Sequence, residues 1–165
     1  MSPRIPSKEN RVVLRSAVKL PLSSAKTRKI IRSILSFLKS EGCEADFYFV
    51  SDREMKILNR RFKHRAARTD VLAFSQVEGK PFPAPGLRLL GDVIISVDAA
   101  RRQAPAFGNP VEREFVLYLI HGLLHLLGYD DVRPSARKTM RAREKDLLDR
   151  IGKKYRLWPS TKPKR

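Results

Sequence analysis

The chain has 165 residues, 42% hydrophobic and 32% charged, which suits one domain with one sizeable core. Its single cysteine, Cys43, excludes an internal disulfide and fits a reducing cytoplasm, while the N-terminal MSPRIPSKENR lacks a signal peptide's apolar core and no stretch is long enough for a membrane span. The net charge of +18, from 35 basic and 17 acidic residues, favours a polyanionic partner, and nucleic acid is the usual one.

Residues 11–18, RVVLRSAV, read as a first strand. Ser23 or Ser24 caps a helix to about Lys39, with Ile30, Ile31, Ile34, Leu35 and Leu38 on its apolar face. ADFYFV at 45–50 is a second strand. Ser51 and Glu54 form a capping-box pattern that opens a helix with Met55, Ile57, Leu58 and Phe62 as apolar positions. The connection RRFKHRAAR at 60–68 carries five Lys or Arg and no acid. TDVLAFS at 69–75 is a short buried strand, residues 77–89 form a Pro- and Gly-rich loop, and GDVIISV at 91–97 is another strand. Asp98 to Ala106 is helical, and Pro110 starts the most apolar helix, which reaches Leu127. A last amphipathic helix spans Pro134 to Ile151. The expected fold is α+β: a single domain over 1–152, with a small mixed sheet of about four strands and about five helices. Residues 153–165 are expected to form a basic, flexible tail.

HGLLHLLGYDD, 121–131, carries the chemistry. Residues four apart lie on one helical face, so His121 and His125 can bind one ion together. Gly128 lets the chain turn out of the helix and brings Asp131 back toward that face, better than its neighbour Asp130. H-x3-H-x2-G-x2-D is the three-ligand spacing of the metzincin type with aspartate as last ligand, and three protein ligands leave a position for water. The general-base glutamate that follows the first histidine in zinc proteases is absent, since Gly122 stands there.

These residues resemble the YbeY family of bacterial endoribonucleases. HGLLHLLGYDD, TDVLAFS, LGDVIISVDAARRQA at 90–104, and Met140 with Glu144 carry the resemblance, over roughly residues 45–150. It implies an α+β fold and one zinc ion per chain held by His121, His125 and Asp131. It also implies cleavage of single-stranded RNA in maturation of the 16S ribosomal RNA 3′ end and in ribosome quality control, with the small ribosomal subunit as partner. Two positions depart from the family's habit. Asp131 stands where the third ligand is usually histidine, which keeps a usable zinc ligand but alters affinity or metal preference. Lys63 stands where an arginine is usual, which keeps the charge and loses the bidentate fork.

The mechanism expected is metal-assisted phosphodiester cleavage. Lys63 and Arg61, with Arg65 nearby, stabilise the phosphate's developing charge. Arg60, Arg61, Lys63, Arg65 and Arg68 contact RNA. Glu144 and Asp92 are placed to hydrogen-bond near the ligands, although Asp70 and Asp92 also suit turn or cap roles. Met140 and Phe74 read as core, while Phe62 and the tail's Trp158 are candidates for base stacking. The competing functions are a metal-dependent hydrolase of another substrate and a ribosome-associated protein whose zinc is structural, closed by Cys43 or His64. The basic domain without metal is a third reading. Oligomeric state and general base stay open.

Overall fold

Residues 9–62, 70–77 and 87–159 are described by the structure, a computed structural model. Strand β1 (Arg11–Ser16) leads into helix α1 (Ser24–Phe37), then β2 (Cys43–Val50), α2 (Asp52–Arg61), β3 (Val71–Ser75), β4 (Arg88–Ser96), α3 (Val97–Ala106), α4 (Val111–Leu126) and α5 (Pro134–Tyr155). The sheet order is β1-β2-β4-β3. β1, β2 and β4 run parallel, and β3 pairs antiparallel with β4 at the edge. This is the mixed four-stranded α+β architecture expected from the sequence.

Strand alternation gives each sheet face its own partner. Ala45, Phe47 and Phe49 of β2 and Val93 and Ile95 of β4 are fully or nearly fully buried, and they join Ile30, Ile34, Leu119 and Leu123 in one continuous core. α1 packs on β1, and α4 packs on β3 and β4. α5 packs on α4 and α1, which makes a third layer outside them. That layering explains why α4 is apolar on nearly every side: it lies between sheet and helix. The opposite sheet face carries α2, whose Met55 meets Val50 and Leu72 in a smaller cluster.

The first two helix entries follow the sequence signals, and Ser96 adds a third cap that the sequence reading did not name. Ser23 accepts from Lys26 N, Ser51 from Glu54 N and Ser96 from Ala99 N, each through its hydroxyl. Several boundaries differ from the sequence reading, three of them with a clear physical reason. β1 stops at Ser16, where the hydroxyl turns back to Val18 O at 2.5 Å. β4 starts at Arg88, inside the expected loop, because Arg88 and Leu89 pair with Cys43 and Glu44 of β2. α5 runs to Tyr155, and Trp158 folds back over Gly152, whose missing Cβ would lie 2.4 Å from the indole Nε1. The polypeptide therefore stays on the core past residue 152, and Trp158 is a half-buried packing residue rather than an exposed stacking one.

Candidate metal centre

His121 and His125 project from the C-terminal half of α4. The helix ends with Gly128 N donating to His125 O and Tyr129 N donating to Leu124 O, both at 3.0 Å. Gly128 has φ +94, a conformation that favours glycine, and it redirects the chain. Asp130 then accepts from Val132 N through its own carboxylate at 2.8 Å, so it shapes the turn. Asp131 turns back to the histidines. Its Oδ2 lies 3.8 Å from His121 Nε2 and 3.6 Å from His125 Nε2, while the two Nε2 atoms are 3.0 Å apart.

Arg137, on the first turns of α5, holds the loop in place. Its Nε donates to Asp131 O at 2.9 Å and its Nη2 to Val132 O at 3.4 Å. Ser75, at the end of the edge strand, donates to Leu126 O at 2.9 Å and ties the sheet to this end of α4. Sequence reasoning missed both residues. An isolated arginine or serine leaves no signal until the chain is folded around it.

The donor set suits a divalent cation. Glu144 on α5 puts Oε1 2.5 Å from His121 Nδ1, and both side chains are buried. A carboxylate accepts, so Nδ1 carries the proton and Nε2 presents a lone pair. His125 titrates below the usual histidine range because burial disfavours its charged form and His121 adds to this; Asp131 opposes the shift. The neutral ring is the ligating form. Two lone pairs and a carboxylate therefore converge on one point, and their separations are close to the roughly 3.3 Å that a tetrahedral ion with bonds of about 2.0–2.1 Å would set. His121, His125 and Asp131 are the group among the described residues whose ligand atoms lie close enough together to hold a metal ion. Cys43, weighed as a fourth ligand, is instead buried at the start of β2 and donates to Glu41 O.

Glu144→Gln is expected to keep the fold and lower metal affinity about 10- to 100-fold, since the amide holds the ring less firmly and adds no negative charge. Competition with a chromogenic chelator measures it, and an unchanged affinity would remove Glu144 from the site.

Gly122 explains the absent glutamate in packing terms. A Cβ there would stand 2.4 Å from a methyl carbon of Val93, which is fully buried on β4. Helix and sheet meet too closely at this point for any side chain.

The other expected residues are more scattered. Asp92 lies on the opposite sheet face: its neighbours Gly91 and Val93 meet α4, so alternation points Asp92 away. It sits beside Asp46 and Arg15 in a groove of about 460 Å³, where burial first and Asp46 second raise its pKa and Arg15 partly offsets them. Arg60 and Arg61 are exposed at the end of α2. Lys63, His64, Arg65 and Arg68 lie outside the described residues. Phe62 is 42% exposed and meets Phe74 edge-on at 5.0 Å. Met140 is buried in the core, and Asp70, just before β3, accepts from Ser96 N through its backbone carbonyl and has its carboxylate 3.5 Å from the Tyr118 hydroxyl.

Comparison with known proteins gives a consistent picture. The family model described as Endoribonuclease YbeY matches residues 14–152. A protein named Endoribonuclease YbeY from Pelotomaculum thermopropionicum is 40% identical over 138 residues, which are 81% of this chain and 91% of that one. Its namesake from Staphylococcus carnosus is 38% identical over 130 residues, 74% of this chain and 84% of the relative. The Myxococcus xanthus namesake is 45% identical over 121 residues, 73% of this chain but 41% of the longer relative. A solution structure from Thermotoga maritima shares the fold, with a TM-score of 0.58 at 24% identity over 94% of this chain and 99% of that one.

Proposed function

Because the chain belongs to the endoribonuclease YbeY family, we propose that it is a metal-dependent endoribonuclease that cuts single-stranded RNA in the 3′-end maturation and quality control of small-subunit ribosomal RNA. The observation that carries this is the convergence of His121, His125 and Asp131 on one point, with Glu144 fixing the first ring and Gly122 leaving no room for a protease base. Zinc, one ion per chain, fits this nitrogen and oxygen set. When bound, the ion supplies Lewis acidity toward a phosphate oxygen and a lowered water pKa.

The chain's own residues do the rest. His121, His125 and Asp131 hold the ion. Lys63 and Arg61, with Arg65, offer positive charge to the phosphate as its negative charge grows in the transition state. Arg60 and Arg68 extend that charge along the RNA backbone. The small ribosomal subunit is the partner, and the cytoplasm the place of action. No helix among the described residues is long and apolar enough to cross a membrane.

A labelled fragment of the small-subunit RNA 3′ end tests the reading. Cleavage is expected on the single-stranded form and not on a hairpin of the same composition, to be lost with a chelator, and to return with zinc. Cleavage that ignores the chelator, or none with the ion restored, would count against it. In the same assay Lys63→Ala is expected to slow cleavage on the order of a hundredfold, with Lys63→Arg active. A wild-type rate in the alanine variant would end that role for Lys63.

A further inference from the structure

Away from the metal centre, two surface depressions adjoin. The first, about 750 Å³, is lined by Arg53, Lys56 and Arg60 on α2 and by Arg102 on α3. The second, about 560 Å³, is lined by Phe107 at the end of α3 and Arg113 on α4. Asp70 lines both, so they adjoin at that residue, and the two together are here called the trough.

Arg53, Lys56 and Arg60 are spaced i, i+3, i+7 and share one face of α2. The stripe rises about 10.5 Å along the helix. Among the described residues none of the three lies within ion-pair distance of a carboxylate. The start of their helix is firmly fixed. Asp98 accepts from Asp52 N at 2.9 Å, Ser96 donates to Asp52 Oδ1 at 2.8 Å, and Arg102 closes on Asp52 Oδ2. The stripe is thus preorganised, while Arg102 has its charge partly matched. At the other end, Phe107 is 68% exposed, the most exposed aromatic ring among the described residues. Two carboxylates also lie here: Asp70, whose Oδ2 is 3.5 Å from the Tyr118 hydroxyl and whose charge that contact does not cancel, and Glu114, which is buried and engaged.

Unmatched cations in a row with an exposed aromatic ring beyond them make the pattern that binds single-stranded nucleic acid, with phosphates on the cations and a base on the ring. We propose that this trough is a track for single-stranded RNA, with backbone phosphates on Arg53, Lys56 and Arg60, a base stacked on Phe107, and Arg113 beside it. The proposal rests on the endoribonuclease reading and names a surface through which the substrate is held. A duplex keeps its bases stacked and offers Phe107 nothing.

The test is fluorescence anisotropy of a short labelled oligouridine with the zinc-loaded full chain, across a salt series, with probe integrity checked on a gel. The triple variant Arg53→Gln, Lys56→Gln, Arg60→Gln is expected to flatten the dependence of log affinity on log salt by about 2, at about 0.7 per lost phosphate contact. Phe107→Ala is expected to weaken binding about tenfold with the slope unchanged. The charge-matched control Lys138→Gln, Arg141→Gln, Lys145→Gln, on the exposed side of α5, should leave both nearly as they were. Thermal melting verifies that every variant is folded. A control that flattens the slope as much as the triple variant would show diffuse attraction and overturn the track. So would a Phe107→Ala protein that binds normally, because any polyanion, duplex or acidic protein would then serve. Wild-type protein with no affinity for any RNA is a different result, and it removes the endoribonuclease reading itself.

Discussion

His121→Ala is expected to lose the divalent ion and RNA cleavage together, with a rate at least about a thousandfold below wild type. The imidazole has two jobs at once. Its Nε2 faces His125 and Asp131, and its Nδ1 meets Glu144 at 2.5 Å. Alanine removes both contacts and leaves a buried carboxylate without its partner, at a cost of about 1–3 kcal/mol in stability. Loss of activity alone would therefore be ambiguous. His125→Ala resolves this, because its side chain is more exposed, at 16% against 3%, and does not hold Glu144. That variant should melt close to wild type and still lack the ion. Elemental analysis, melting temperature and cleavage rate, read together on both variants, give the answer. A folded His125→Ala protein that keeps one equivalent of zinc and cleaves normally would dismantle the proposed centre.

The largest stability effect is expected at Gly91. Its φ of +134 lies where side chains are strained, and an added Cβ would stand 2.0 Å from the Phe74 carbonyl oxygen and 3.1 Å from Leu126 Cδ2. The first obstacle is backbone of the paired edge strand, which cannot rotate aside. Gly91→Ala should cost about 3 kcal/mol or more, from conformational strain and overpacking together. It should also disturb the metal centre indirectly: Gly91 pairs with Ser75, and Ser75 ties the edge strand to Leu126. Gly42→Ala is the comparison. It too has positive φ, +66, but its Cβ would meet nothing within 4 Å, so only the conformational cost of about 1 kcal/mol remains. Urea denaturation of the two variants measures the difference. Equal midpoints would show that β3 can shift freely at this point.

The parts of this protein that are legible in sequence are those fixed by short covalent spacing. His121 and His125 share a face because helices repeat every 3.6 residues, and the caps at Ser23 and Ser51 are local chemistry; the Ser96 cap shows only in the fold, because its residue reads as part of a strand. Asp92 follows a motif glycine and so reads as a neighbour of the ligands, but its strand's own alternation sends it the other way, since Val93 and Ile95 point into the core. The beginning of β4 was hidden in a Pro- and Gly-rich loop, since only pairing with β2 makes Arg88 and Leu89 a strand. Trp158 looked exposed because basic residues surround it, yet Gly152 opens a seat for its ring one turn back along α5. Arg137 and Ser75 could not be read at all. Their partners are backbone carbonyls, and these leave no mark in a sequence.

The contact between Gly122 and Val93 bears on what this scaffold can become. Two of the four glycine codons are one nucleotide from a glutamate codon, so a peptidase-like base next to a histidine of this kind is within short mutational reach of glycine. The structure makes it unselectable on its own, because α4 would first have to lift off the sheet that packs the core. A smaller residue in place of Val93 would open the space that such a base needs. The packing thus couples position 122 of the helix to position 93 of the strand, so that a change at one bears on what the other can carry.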